Sequence, residues 1–192
     1  MKKVYIIHGW EGSPEEPMHK WLKLKLEEAG YEVTVPEMPE AENPKIEAWV
    51  GKLKEIIEPG PDTILVGHSI GCQGILRYIE TLSEGSKIAG LVLIAPWMKL
   101  DMKTIEEEGE EVIEMAKPWM ETPIDFKKVK THVGGMVAIF SDNDPYVPLD
   151  QQELFKTELG AEIIVEKQKG HFTEGDGVED LPSALEAVKN IS

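Results

Sequence analysis

Six short aliphatic runs, separated by segments of helical periodicity, set the strongest limit on what this sequence can fold into. They are Lys3–Gly9 (KVYIIHG), Tyr31–Glu37 (YEVTVPE), Asp62–His68 (DTILVGH), Lys87–Pro96 (KIAGLVLIAP), His132–Ser141 (HVGGMVAIFS) and Ala161–Gln168 (AEIIVEKQ). Most are near-continuous Val, Ile and Leu rather than alternating apolar and polar, the pattern of strands covered on both faces. Between the first two lies Met18–Gly30, with Trp21, Leu22, Leu24 and Leu26 and a glycine stop, which reads as a helix. Pro44–Ile57 places Ile46, Trp49, Val50 and Leu53 on one helical stripe. Further helices are expected at about Ile70–Leu82, at Gln151–Glu158 and at the closing Ser183–Ile191. This alternation predicts an α/β fold, a mostly parallel sheet of about six strands with helices on both faces.

The chain has 192 residues, which points to a single domain spanning 1–192. No repeat or low-complexity linker interrupts it. The rhythm breaks once, between Pro96 and Lys130, where the link from the fourth strand to the fifth is long. That link carries the acidic run EEEGEE together with Trp97, Met98, Met102, Met115, Trp119 and Met120. One reading is a solvated helix with a Met-rich underside on the core. The other is a small cap-like insertion at 97–130 over a pocket, since long connections in compact domains are often functional.

Charge narrows the partners. The net charge of −16 repels phosphate backbones and anionic lipid, which disfavours nucleic-acid and membrane roles and says nothing more specific. No apolar run approaches the roughly 20 residues of a membrane span, and the N-terminus lacks the pattern of a signal peptide. With one cysteine, Cys72, no intramolecular disulfide can form, which suits a cytoplasmic setting. Oligomeric state is left open.

The third aliphatic run turns abruptly into Gly67-His68-Ser69-Ile70-Gly71. This matches G-x-S-x-G, a short pattern whose weight comes from following a strand and opening a helix, as it does here. A residue at so sharp a turn sits in strained backbone, and side chains two positions either side would collide. Glycine removes the collision. Ser69 would then stand at a helix N-terminus, where free N–H groups favour a developing oxyanion. A serine nucleophile needs a base, and the base an orienting carboxylate, in the chain order Ser, Asp, His. The run SDNDP offers Asp142 and Asp144 after the fifth strand, and KGHF offers His171 after the sixth. The order rule alone does not separate the two aspartates.

Taken together, HGW, GHSIG, APW, DNDPYVP and GHF resemble the α/β-hydrolase superfamily, most of all the small serine hydrolases related to retinoblastoma-binding protein 9. The resemblance spans the chain from Val4 to the last helix and implies a three-layer α/β-hydrolase fold. In that pattern the acid begins D-x-x-V-P, which falls on Asp144 and leaves Asp142 as a loop residue. A chain starting at the HGW strand would lack the leading antiparallel hairpin of larger relatives. The resemblance also implies that Trp10 lies beside Ser69, its backbone N–H joining that of Ile70 in an oxyanion hole. His8 is then a brace for this loop, and His68 lines or supports the site. The activity implied is a carboxylesterase-like serine hydrolase. A small-molecule ester with a small or medium acyl group is expected on the hypothesis that the 96–120 segment, with Trp97 and Trp119, lines the substrate pocket. An amidase, or a protein-binding module with an idle triad, are the alternatives.

Rival chemistries fit poorly. Val147 occupies the glycine slot that an EF-hand loop at DNDPYVPLDQQE would need. No H-x-x-x-H, Cys/His cluster, phosphate loop or G-x-G-x-x-G stands at the required place. No metal and no cofactor are therefore expected, and Cys72 reads as a small core residue.

Overall fold

The computed structural model describes residues 1–191. Its strands are β1 (Lys3–Ile7), β2 (Glu32–Thr34), β3 (Thr63–His68), β4 (Ile88–Ile94), β5 (Val133–Ser141) and β6 (Glu162–Glu166). They form one sheet in the order β2-β1-β3-β4-β5-β6, every pairing parallel. Ile6, Val66, Val92 and Val137 lie in register across the central four strands. All four are buried. Each such side chain contributes about 1.5–3 kcal/mol relative to exposure, which explains why the runs are continuous rather than alternating.

The helices are α1 (Pro17–Glu28), α2 (Ile46–Ile56), α3 (Ile70–Glu80), α4 (Met102–Glu108), α5 (Glu110–Glu121), α6 (Phe126–His132), α7 (Gln151–Leu154) and α8 (Pro182–Asn190). A π-helical turn, Phe155–Leu159, prolongs α7. α1 packs with α8, and α2 and α6 with α3, so the sheet is the middle of three layers. Right-handed crossovers require this split, because the chain leaves β1 toward β2 and then doubles back to β3. Strand order thus reverses between β1 and β3, and a crevice opens beyond their carboxyl ends. None of the described helices is long and apolar enough to cross a membrane.

The structure refines three readings of the sequence. β2 is three residues long, because Pro36 ends the run and edge strands need few partners. Leu24 is exposed, since the buried stripe of α1 is Met18, His19, Leu22 and Leu26. The acidic run is two helices, broken at Gly109 with φ of 120°. The end of α5 is held by the buried Arg77 of α3, which donates to the carbonyls of Trp119 and Thr122 at 3.0 and 2.8 Å. Those are orphan carbonyls of a helix C-terminus, where a cation is favoured.

Two substitutions separate close packing from open helix surface. A β-carbon at Gly71 would lie 2.5 Å from the carbonyl oxygen of Ile7 and 2.6 Å from that of His8, whereas one at Gly51 would touch nothing within 4 Å. Gly71→Ala should lose about 2–3 kcal/mol, and Gly51→Ala should gain up to about 1 kcal/mol, measured by urea unfolding. Equal effects would contradict the packing.

Acid should also weaken the fold. Burial holds the His19 imidazole down at about 4. The unfolded ring takes a proton near 6.5 while the folded ring resists to about 4, so the unfolded state binds more protons in that window. Stability should be level above about pH 6.5 and fall by about 3 kcal/mol at most as pH drops toward 4. His68, also lowered by burial, acts in the same direction. In His19→Phe the loss across that window should shrink; an unchanged slope would contradict it.

Candidate active site

The turn from β3 to α3 sets the first side chain. Ser69 has φ of 52° and ψ of −121°, a left-handed backbone that a serine adopts only when its surroundings insist. Its N–H donates to the Ile94 carbonyl on β4 at 2.8 Å, and its carbonyl accepts from Cys72 N–H at 3.0 Å. The flanking glycines act in different ways. A β-carbon at Gly67 would lie 2.8 Å from the Cys72 nitrogen, across the turn as the sequence suggests. At Gly71 the obstacle is the end of β1 instead. α3 therefore starts pressed against β1, and Ile70, its first residue, has one of the N–H groups that no helical carbonyl can reach.

The loops after β5 and β6 supply the next two. His171 Nε2 is 2.8 Å from Ser69 Oγ, and His171 Nδ1 is 2.8 Å from Asp144 Oδ2. Since a carboxylate only accepts, Nδ1 carries the proton and Nε2 presents its lone pair to the serine hydroxyl. Asp144 is held in turn by the N–H groups of Tyr146 and Val147, which donate to Oδ1 at 2.9 and 3.0 Å. Both main-chain ends of His171 are tied: its N–H donates to Asp176 Oδ2 at 2.9 Å, and its carbonyl accepts from His68 Nε2 at 2.8 Å. Asp142 lies outside the series and accepts from Gln168 N–H at 2.8 Å.

A cavity of about 260 Å³ opens over Ser69. Gly9, Trp10 and His68 form its floor side, and Trp97, Leu100, Ile105 and Val112 an apolar wall from the long link. Glu11, Glu16 and Glu108 stand around it with Tyr146 and Thr173. Burial raises the Glu16 carboxyl above the usual carboxylate range. The Trp97 indole N–H donates to Ser69 Oγ at 3.3 Å, a contact that sequence spacing does not reveal.

Other predicted positions sort by their partners. His8 is a brace: its Nε2 accepts from Met38 N–H at 3.0 Å and its Nδ1 donates to the Gly9 carbonyl at 2.9 Å. Cys72 is buried, and burial pushes its thiol up. Trp119 is a correction. It does not line the cavity over Ser69, because its indole N–H donates to the Pro44 carbonyl at 3.0 Å and its ring packs edge-on against Trp49 in the core. Asp176 went unnoticed, although Thr173-x-x-Asp176 has capping-box spacing and forms one.

Known proteins are similar to this chain over most of its length. YdeN of Bacillus subtilis is 28% identical over 188 residues, covering 97% of this chain and 94% of YdeN. The crystal structure of YdeN superposes with a TM-score of 0.90 at 26% identity, over 100% of this chain and 98% of that one. Serine hydrolase RBBP9 of Rattus norvegicus is 24% identical over 166 residues, 86% of this chain and 78% of RBBP9. Est1E from Butyrivibrio proteoclasticus shares the fold, with a TM-score of 0.70 at 14% identity over 99% of this chain and 88% of Est1E. Residues 4–190 match the sequence profile of one family, and the sheet order and neighbours are those of α/β hydrolases. The chain therefore belongs to the serine hydrolase family.

Proposed function

We propose that this serine hydrolase is a carboxylesterase that cleaves small or medium acyl esters through Ser69, His171 and Asp144. The observation that carries the reading is the unbroken series Asp144–His171–Ser69, both links 2.8 Å. His171 Nε2 takes the hydroxyl proton as Ser69 Oγ bonds to the ester carbon. The carbonyl oxygen becomes an oxyanion facing the N–H groups of Trp10 and Ile70. The ester C–O bond then breaks, His171 returns the proton to the departing alcohol, and an acyl-serine remains. Water repeats the sequence, giving its proton to His171, and releases the acid with Ser69 restored. Asp144 keeps the imidazole in the required tautomer and orientation.

Cavity size and lining support the substrate class. A volume of about 260 Å³ lies below the range usual for drug-sized ligands and suits a short acyl chain against Trp97, Leu100, Ile105 and Val112. The surrounding Glu11, Glu16 and Glu108 disfavour an acyl group that bears its own carboxylate, because like charges repel.

The roles are tested by a fluorophosphonate probe together with kinetics on p-nitrophenyl esters. Wild type should be labelled once, at Ser69, and His171→Ala should not be labelled. Asp144→Asn should lose kcat by on the order of 10⁴-fold, while Asp142→Asn stays near wild type. Labelling that survives in His171→Ala, or a loss at Asp142 matching that at Asp144, would overturn the assignment. Chain-length preference tests the wall. Trp97→Ala should raise octanoate relative to butyrate by about tenfold in kcat/KM, and an unchanged ratio would remove Trp97 from the acyl pocket.

A further inference from the structure

Two buried imidazoles outside the Ser69–His171–Asp144 series each leave one nitrogen without a partner, His19 Nε2 and His68 Nδ1. The opposite nitrogen of each ring faces a backbone carbonyl: His19 Nδ1 lies 3.3 Å from the Ser13 oxygen, and His68 Nε2 lies 2.8 Å from the His171 oxygen. A carbonyl accepts and never donates, so those nitrogens carry the ring protons. In the neutral rings, the unpartnered nitrogens are therefore bare lone pairs. Among the described residues no N–H or O–H points at either. A buried acceptor left this way is destabilising unless something fills the position.

The rings adjoin one another, with centroids 5.9 Å apart. Glu16 stands beside the pair, at the other nitrogen of the His19 ring. Its Oε2 lies 3.3 Å from the protonated Nδ1 and its Oε1 accepts from Ser13 N–H at 3.0 Å, so its carboxylate must turn toward Nε2 to act as a ligand. One ligand atom from each of Glu16, His19 and His68 lies within 4.8 Å of the other two. Glu16 also lines the cavity over Ser69, so the cluster has an approach from solvent. Gly9 keeps one side clear, because a β-carbon there would come within 3.2 Å of His68 Nδ1.

We propose that Glu16, His19 and His68 form a binding site for one divalent transition-metal ion of the zinc class, beside the reacting serine but separate from it. Two imidazoles and a carboxylate are a zinc donor set, with bonds of about 2.0–2.2 Å. Closing onto an ion requires the ligand atoms to draw in to about 3.3–3.5 Å apart, the tetrahedral spacing for those bonds. Glu16 sits in the loop leading into α1 with its side chain 27% exposed, and it can supply that movement. Magnesium and calcium favour oxygen ligands and are selected against by two nitrogens. Each ring already donates its other N–H to a carbonyl, the support that orients a metal-bound histidine. The third ligand comes from a distant part of the chain, which is why no metal-ligand spacing is visible in the sequence. Through Glu16 on the cavity wall and His68 on the His171 carbonyl, the ion would bridge the loop after β1 and the turn at Ser69.

Zinc affinity is measured by competition with a chromogenic chelator, with excess magnesium present to occupy the acidic surface. Wild type and Ser69→Ala should each take up one zinc per chain with the same affinity. Retention in Ser69→Ala separates this site from the proposed ester chemistry. His19→Phe and Glu16→Gln should bind at least tenfold more weakly. A wild-type crystal soaked in zinc and recorded at the zinc absorption edge should show an anomalous peak between the three side chains, a readout that does not depend on the variants folding. Wild-type uptake no greater than that of the variants would overturn the proposal. So would a soaked crystal with only an ordered water bridging the two nitrogens.

Discussion

The sharp turn at Ser69 is the constraint on which the rest of the site depends. A left-handed serine costs of order 1–3 kcal/mol, and it persists because its surroundings leave no alternative. β4 pins it through the Ile94 carbonyl, Gly67 lets α3 fold back, and Gly71 lets the helix meet the end of β1. The same close approach carries the Gly9–Trp10 segment to the serine. The turn, the crevice and the free N–H groups at the start of α3 therefore have a single origin, the parallel register of β1, β3 and β4.

A second tie makes His171 and Asp144 converge. The loops after β5 and β6 are laced by polar contacts outside the Asp144–His171–Ser69 series. Asn143 Oδ1 accepts from Ser141 Oγ and Gly170 N–H at 2.8 and 2.9 Å, and Ser141 Oγ accepts from Lys169 N–H at 3.0 Å. Asp142 ties Gln168 in the same way. The run Ser141-Asp142-Asn143 thus works as a clasp that sets where Asp144 and His171 can meet. α3 contributes at its other end, where Arg77 holds the carbonyls of α5 and so anchors the link whose earlier part walls the cavity.

The layers and the sheet were legible because buried parallel strands need unbroken aliphatic runs and their crossovers need periodic helices. The meeting of Ser69, Asp144 and His171 was legible because each follows a strand at the same sheet edge, where a short motif has a fixed place. Trp119 was misplaced because an indole satisfied in the core and an indole lining a cavity look alike in sequence; only the Pro44 carbonyl distinguishes them. The contact of Trp97 with Ser69 and the clustering of Glu16, His19 and His68 depend on how separate loops fold together, and no local spacing encodes that. Asp176 did leave a local signal, in its spacing from Thr173.

The central claim is that Ser69 attacks while the Trp10 and Ile70 amides receive the charge. A crystal structure of the covalent adduct with a short-chain alkyl phosphonate tests it most directly. The account predicts phosphorus bonded to Ser69 Oγ, the phosphoryl oxygen about 2.7–3.1 Å from both amide nitrogens, and the alkyl chain against Trp97. A phosphoryl oxygen turned away from both amides, or phosphorus bonded to any other residue, would contradict it.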